Sequence, residues 1–131
     1  MVPYLLSSLV WLWQIHGILK ARNTFAPPYR CICAECKQPL IQNCVVCAFC
    51  KHETTTIYEH NLECNLDTND GLIECTLRNP QLKEYCPEVA NISFQEYSKN
   101  ISSTVFNLRR FSQQGIFTLA LNNRIINLKK N

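Results

Sequence analysis

The sequence predicts a small, disulfide-rich, mainly β fold, built of hairpins and an irregular cysteine-rich knuckle region, after an N-terminal apolar signal helix. Three observations predict it. Six of the nine cysteines fall between Cys31 and Cys50. The residues from Met1 to Leu19 carry no charged side chain. Further along, short runs of apolar and polar residues are separated by turn-forming residues, as in hairpins. A thiol cluster means disulfides in an oxidising compartment but metal or redox chemistry in a reducing one. The leader therefore governs how the cysteines are read.

An apolar run at the extreme N-terminus fits the h-region of a secretory signal, and Gly17 or Ala21 offers a small residue for cleavage. The expectation is a signal peptide over 1–17, removed near Gly17. The run also approaches the roughly 18 residues at which a spanning helix becomes credible. An uncleaved signal-anchor and a buried amphipathic helix thus stay open. Residues 18–30 read as an extended linker, because Pro27-Pro28 disfavours helix. Residues 31–90 form the expected cysteine-rich domain, and 91–131 a cysteine-free β-hairpin extension. No internal repeat is evident.

In the oxidising reading Cys31, Cys33, Cys36, Cys44, Cys47, Cys50, Cys64, Cys75 and Cys86 are all disulfide candidates. Four bridges leave one thiol over, which suggests either an intermolecular bridge, as in a disulfide-linked dimer, or a reactive free cysteine. One pairing follows from geometry. The runs 57–66 and 72–77 flank Thr68-Asn69-Asp70-Gly71, a strong turn signal. A four-residue loop sets Cys64 opposite Cys75 at a narrow, non-hydrogen-bonded site that suits a bridge. A two-residue Asn69-Asp70 loop keeps them opposite at the wider site, and both cysteines could instead pair with the cluster.

The same cluster has an alternative chemistry. Cys33-Ala-Glu-Cys36 and Cys47-Ala-Phe-Cys50 are C-x2-C pairs of the kind that surround one tetrahedral Zn²⁺ with four thiolates. His52 can replace one of them, and Cys44-Val-Val-Cys47 forms a competing pair. Under the secretory reading no cofactor is expected; Zn²⁺ held by Cys33, Cys36, Cys47 and Cys50 is the alternative. A redox C-x2-C is disfavoured, because no βαβ unit surrounds it.

Thirteen basic against ten acidic residues give a net charge of +3, and only Arg109/Arg110 and Lys129/Lys130 are adjacent. That is ordinary solvated surface, so no nucleic-acid partner is expected. After the leader only His52 and His60 remain as imidazoles, and both read as surface or strand residues. With three glycines and no nucleophile elbow, phosphate loop or HExxH, the chain is not expected to be an enzyme. Phe49, Tyr58, Phe94 and Tyr97 read as packing residues.

Asn79-Pro80 and Cys86-Pro87 mark turns or boundaries. Thr104–Phe111 and Ile116–Asn122, around Ser112-Gln113-Gln114-Gly115, read as a second hairpin, followed by a third strand over Arg124–Leu128. Asn91-Ile92-Ser93 and Asn100-Ile101-Ser102 are glycosylation sequons, expected between strands and exposed.

The apolar leader, Pro27-Pro28, Tyr29-Arg30-Cys31 and Asn43-Cys44-Val45-Val46-Cys47-Ala48-Phe49-Cys50 resemble the multigene family 110 proteins of African swine fever virus. Asp70-Gly71-Leu72-Ile73-Glu74-Cys75-Thr76 is similar to a stretch in some of them. The resemblance implies a viral accessory protein of the secretory pathway, in the endoplasmic reticulum lumen or secreted from the infected host cell. It would be disulfide-stapled and non-catalytic, modulating the host response by binding a host protein. Membrane contact would come only through an uncleaved leader. The alternative class is an intracellular zinc-ribbon protein that binds nucleic acid or protein.

Overall fold

The structure, a computed structural model, describes residues 2–6, 10–40 and 46–130. Its elements run β1 (Val2–Leu6), β2 (Val10–Ala21), β3 (Tyr29–Cys33), β4 (Thr56–Thr68), β5 (Gly71–Arg78), α1 (Gln81–Tyr85), α2 (Pro87–Ala90), α3 (Phe94–Lys99), α4 (Ile101–Arg110), β6 (Ser112–Leu119) and β7 (Ile125–Lys129). The expected small, mainly β, cysteine-rich fold is what forms.

In place of the expected signal helix, the described N-terminal residues are strands, β1 and β2, paired with each other. The reason lies in periodicity rather than hydrophobicity. Ile15, Gly17 and Leu19 are buried while Gln14, His16 and Lys20 are exposed, a period of two that only a strand can satisfy. Length and lack of charge suggested a helix; alternation places the segment at the centre of a sheet. Gly17, the expected cleavage point, lies in mid-strand, and a Cβ there would sit 2.6 Å from the Asp67 carbonyl oxygen.

The strands close into a barrel. β2 runs antiparallel to β4 (Ile18–Ala21 against Cys64–Asp67) and to β6 (Trp13–Lys20 against Ser112–Leu119). β4 pairs with β5, and β6 with β7. The circuit is completed where Thr76 bridges Arg124 in parallel, its N–H donating to the Asn123 carbonyl at 3.1 Å. The Asn123 side-chain amide adds a bond to the Glu74 carbonyl at 3.1 Å. The order around the barrel is β2-β4-β5-β7-β6.

Alternate residues fill the interior: Ile15, Leu19, Leu62, Cys64, Leu66, Cys75, Leu77, Phe117, Leu119 and Ile125. Each large apolar side chain so buried contributes about 1.5–3 kcal/mol before entropy is counted. The helical segment between β5 and β6 joins this core through Leu82, Cys86, Val89, Leu108 and Phe111. Ser93 caps α3 by accepting from the Glu96 N–H at 3.2 Å.

Two further expectations are corrected. Thr104–Phe111, expected as a strand, falls largely in α4, because Thr104, Val105 and Leu108 share one buried helical face. Ser112–Gly115, expected as a turn, begins β6. The 91–131 segment is thus not a hairpin appendage: β6 pairs with β2 over eight residues and shares its core. The expected third strand, Arg124–Leu128, forms as β7. Asn91 and Asn100 are exposed, at helix ends rather than between strands.

The first hairpin has the expected register, with Cys64 opposite Cys75, but its loop is the two-residue Asn69-Asp70. The Arg22 N–H donates to the Glu63 carbonyl, so Glu63 faces β2 and the polar groups of Cys64 face β5. Cys64 and Cys75 therefore occupy the wider, hydrogen-bonded site rather than the narrow one, and they are not bridged.

Gly17→Ala should destabilise the protein by about 1–3 kcal/mol, because its Cβ meets backbone that can move only with the sheet. Gln14→Ala, exposed on the same strand, should stay within about 0.5 kcal/mol of the parent. Urea denaturation monitored by tryptophan fluorescence measures both; equal midpoints would refute the central placement of β2.

Candidate metal centre and the basic face beside it

β3 and the first half of β4 leave the barrel as a two-stranded arm, Tyr29–Cys33 against Thr56–His60. Aromatic packing fixes its direction. The Tyr58 and Phe94 rings stack at 3.7 Å, Tyr29 meets Phe94 edge-on at 5.4 Å, and Tyr29 lies 4.7 Å from His60. The Tyr29 hydroxyl donates to the Ile92 carbonyl at 2.6 Å, and His60 Nε2 bonds the same oxygen at 2.8 Å. Burial, then the Glu96 charge, pushes Tyr29 up to about 12, so it stays a neutral donor.

At the end of the arm the chain makes the same turn twice. Cys33-Ala-Glu-Cys36-Lys37 and Cys47-Ala-Phe-Cys50-Lys51 each close with the lysine in the left-handed region, at φ 63° and 64°. The Lys37 N–H donates to the Cys33 carbonyl at 3.0 Å and the Lys51 N–H to the Cys47 carbonyl at 2.8 Å. The Cys33 N–H reaches Gln38 at 2.9 Å and the Cys47 N–H reaches His52 at 3.0 Å. This is an internal repeat that the sequence reading missed; its signal was Cys-Ala-x-Cys-Lys occurring twice.

The turns face each other and bring four sulfurs together. The Sγ atoms of Cys33, Cys36, Cys47 and Cys50 all lie within 4.8 Å of one another, with Cys36–Cys47 at 3.5 Å and Cys33–Cys50 at 3.8 Å. A tetrahedral Zn²⁺ with bonds of about 2.3 Å needs sulfurs about 3.8 Å apart, whereas a disulfide needs about 2.05 Å. The donor set fits zinc. Cys33 and Cys47 are buried, and Cys36 and Cys50 half-buried. Thr54 stands behind the centre: its hydroxyl lies 3.3 Å from Cys33 Sγ and accepts from the Ala34 N–H at 3.1 Å. The Thr54 contact, and next the Cys36 N–H, hold Cys33 down at about 6, whereas burial holds Cys36 and Cys50 above their ordinary value.

The other expected site residues separate from this group. Cys31 is half-buried on β3, and Cys44 lies outside the described residues. Cys64, Cys75 and Cys86 sit in the barrel core, where burial drives Cys64 well above its ordinary value, Cys75 up to about 12 and Cys86 to about 11. All eight described cysteines are free thiols. His52 forms a smaller group with Glu35 and Cys50, its Nδ1 3.5 Å from the Glu35 carboxylate. Of the aromatics expected to pack, Tyr58, Phe94 and Tyr97 do so, whereas Phe49 is 64% exposed on the second turn.

Where the arm meets the barrel, three arginines line up across neighbouring strands. Arg30 on β3 holds Glu59 on β4 at 2.8 Å. Arg78 on β5 donates from Nε to Asn61 Oδ1 on β4 at 2.8 Å. Arg124, just before β7, donates to the Asn79 carbonyl at 2.8 Å, and its buried Nε has no partner among the described residues. Burial, then the charges of Arg30 and Arg124, draws Arg78 below its ordinary value. Glu59 is the one carboxylate ion-paired to this row among the described residues. A cleft of about 230 Å³ adjoins it, lined by Asn23, Pro27, Tyr29, Arg30 and Asn61 among others. Towards the hairpin the same strands carry Glu63, Asp67 and Glu74, with Arg22 3.5 Å from Glu63.

No protein-family model matches the chain, and no curated protein is significantly similar to it.

Thr54→Val removes the hydroxyl behind Cys33 and should weaken zinc binding roughly 10- to 100-fold with the barrel intact. Competition against a chromophoric chelator measures it, with circular dichroism as the fold check. Unchanged affinity would remove Thr54 from the centre.

Proposed function

We propose that the chain is a zinc-stapled, non-catalytic barrel that binds single-stranded nucleic acid. The observation that carries the ligand class is the row Arg30 on β3, Arg78 on β5 and Arg124 just before β7, with one paired carboxylate between three guanidiniums. Planar guanidiniums aligned across strands suit successive phosphates of a backbone.

The strand order supports the reading. Five barrel strands in the circuit β2-β4-β5-β7-β6, with a parallel closure and helices before the fourth, follow the OB-fold plan. Barrels of that plan bind oligonucleotides on the face of their second and third strands and the adjoining loops. This part is analogy at the level of fold. Arg78 lies on that face, Arg124 closes the loop before β7, and Arg30 stands at the root of the arm, which is an insertion in the first of those loops. Glu63, Asp67 and Glu74 repel phosphate, so the strand runs from the arginines towards the arm rather than towards the hairpin.

Zinc, when bound to Cys33, Cys36, Cys47 and Cys50, supplies cross-linking rather than chemistry. Residues 34–53 contribute Cys47 as their one buried hydrophobic residue among those described, too little core to hold two turns together. Coordination couples roughly 10–16 kcal/mol of apparent binding energy to folding. Thiolate ligands suit a reducing compartment.

Two measurements on one preparation test this. Metal analysis with thiol alkylation should find one zinc per chain and thiols protected until the metal is removed. About eight oxidised cysteines without metal would overturn it and meet the secretory, disulfide-bonded expectation. Fluorescence anisotropy with a labelled single strand should show saturable binding that is weaker for duplex. Arg78→Ala with Arg124→Ala should lower affinity about tenfold or more and the salt slope by roughly 1.4. No saturable binding, or no effect of the double variant, would refute the ligand.

A further inference from the structure

We propose a second binding surface: the outer face of α4, together with Phe25, docks an acidic, apolar-containing segment of a partner protein. It stands apart from the nucleic-acid reading and shares no residue with the arginine row.

The inner face of α4 is fully used, with Thr104, Val105 and Leu108 buried in the core. Its outer face exposes Ser102, Phe106, Arg109 and Arg110. Phe106 and Arg110, four residues apart, lie one above the other, with the guanidinium carbon 5.3 Å from the ring centre. Arg109 lies 5.0 Å over the ring of Phe25, which reaches across from the loop after β2. Single exposed apolar residues are common. Here two phenylalanines, 67% and 58% exposed, alternate with two arginines in one patch.

The chemistry selects the partner. Each ring already has a face covered by a cation, so the patch offers guanidinium N–H groups and ring edges rather than open platforms on which bases stack. Among the described residues no carboxylate pairs with Arg109 or Arg110. Glu88 shares a cleft of about 280 Å³ with Arg110 and Asn107 but forms no ion pair with that arginine. Arginine and aromatic residues, without lysine or acid, are the composition enriched at the cores of protein interfaces. Carboxylates on a partner would take the guanidinium forks, and apolar side chains between them would cover the ring edges.

The test uses the full chain loaded with zinc. A 15-residue peptide alternating Glu with Leu and Phe, its Gln-for-Glu counterpart, and an oligonucleotide are titrated separately while NMR follows the Arg Nε–Hε signals and the phenylalanine rings. The acidic peptide should shift the signals of Arg109, Arg110, Phe25 and Phe106 in a saturable way, with Kd on the order of 100 μM or tighter. Arg109→Glu with Arg110→Glu should weaken this at least tenfold while zinc content and oligonucleotide affinity hold. Arg109→Gln with Arg110→Gln gives the same readout without charge reversal. Equal binding of the Gln peptide, saturation of the patch by the oligonucleotide instead, or no saturable shift would each overturn the proposal.

Discussion

The pairing of β2 with two strands at once carries the rest of the architecture. β4 and β6, which lie far apart in the sequence, meet only because β2 runs between them, with Ile15 and Leu19 turned inward and Gly17 letting the Asp67 carbonyl approach. The barrel follows from that contact. β4 brings β5 as its hairpin partner, β6 brings β7, and the Thr76–Arg124 bridge joins the two outer members. The helical segment then packs against this core through Leu82, Cys86, Val89, Leu108 and Phe111.

Two different forces hold the two parts of the molecule. The barrel is secured by apolar burial and by a continuous ladder of backbone bonds. The arm has a ladder only as far as Cys33 and Thr56; beyond it, short turns enclose sulfur and little else. Such a segment has no apolar core of its own, so core substitutions act on the barrel and leave the arm to its sulfur cluster.

Much of this was legible in the sequence, and the failures have physical causes. The cysteine spacing offered a four-sulfur centre as the alternative to disulfides, and Thr68–Gly71 set Cys64 opposite Cys75. The uncharged N-terminal run satisfies two templates, a targeting helix and a sheet centre, and its described residues follow the strand period. α4 was misread in the reverse direction: Thr104, Val105 and Leu108 look alternating when the four-residue return is overlooked. The arginine row could not have been read at all. Arg30, Arg78 and Arg124 are isolated in sequence, so a charge count saw scattered surface, and the sheet alone makes them neighbours.

The Ile92 carbonyl that accepts from both Tyr29 and His60 ties the two strands of the arm to one point between α2 and α3, beside the ring contacts of Tyr29 and Tyr58 with Phe94. The bearing of the arm is thus written in a helical segment far along the chain. A substitution in residues 92–97 reaches the four sulfurs through Tyr29, Tyr58 and His60 without touching any of them.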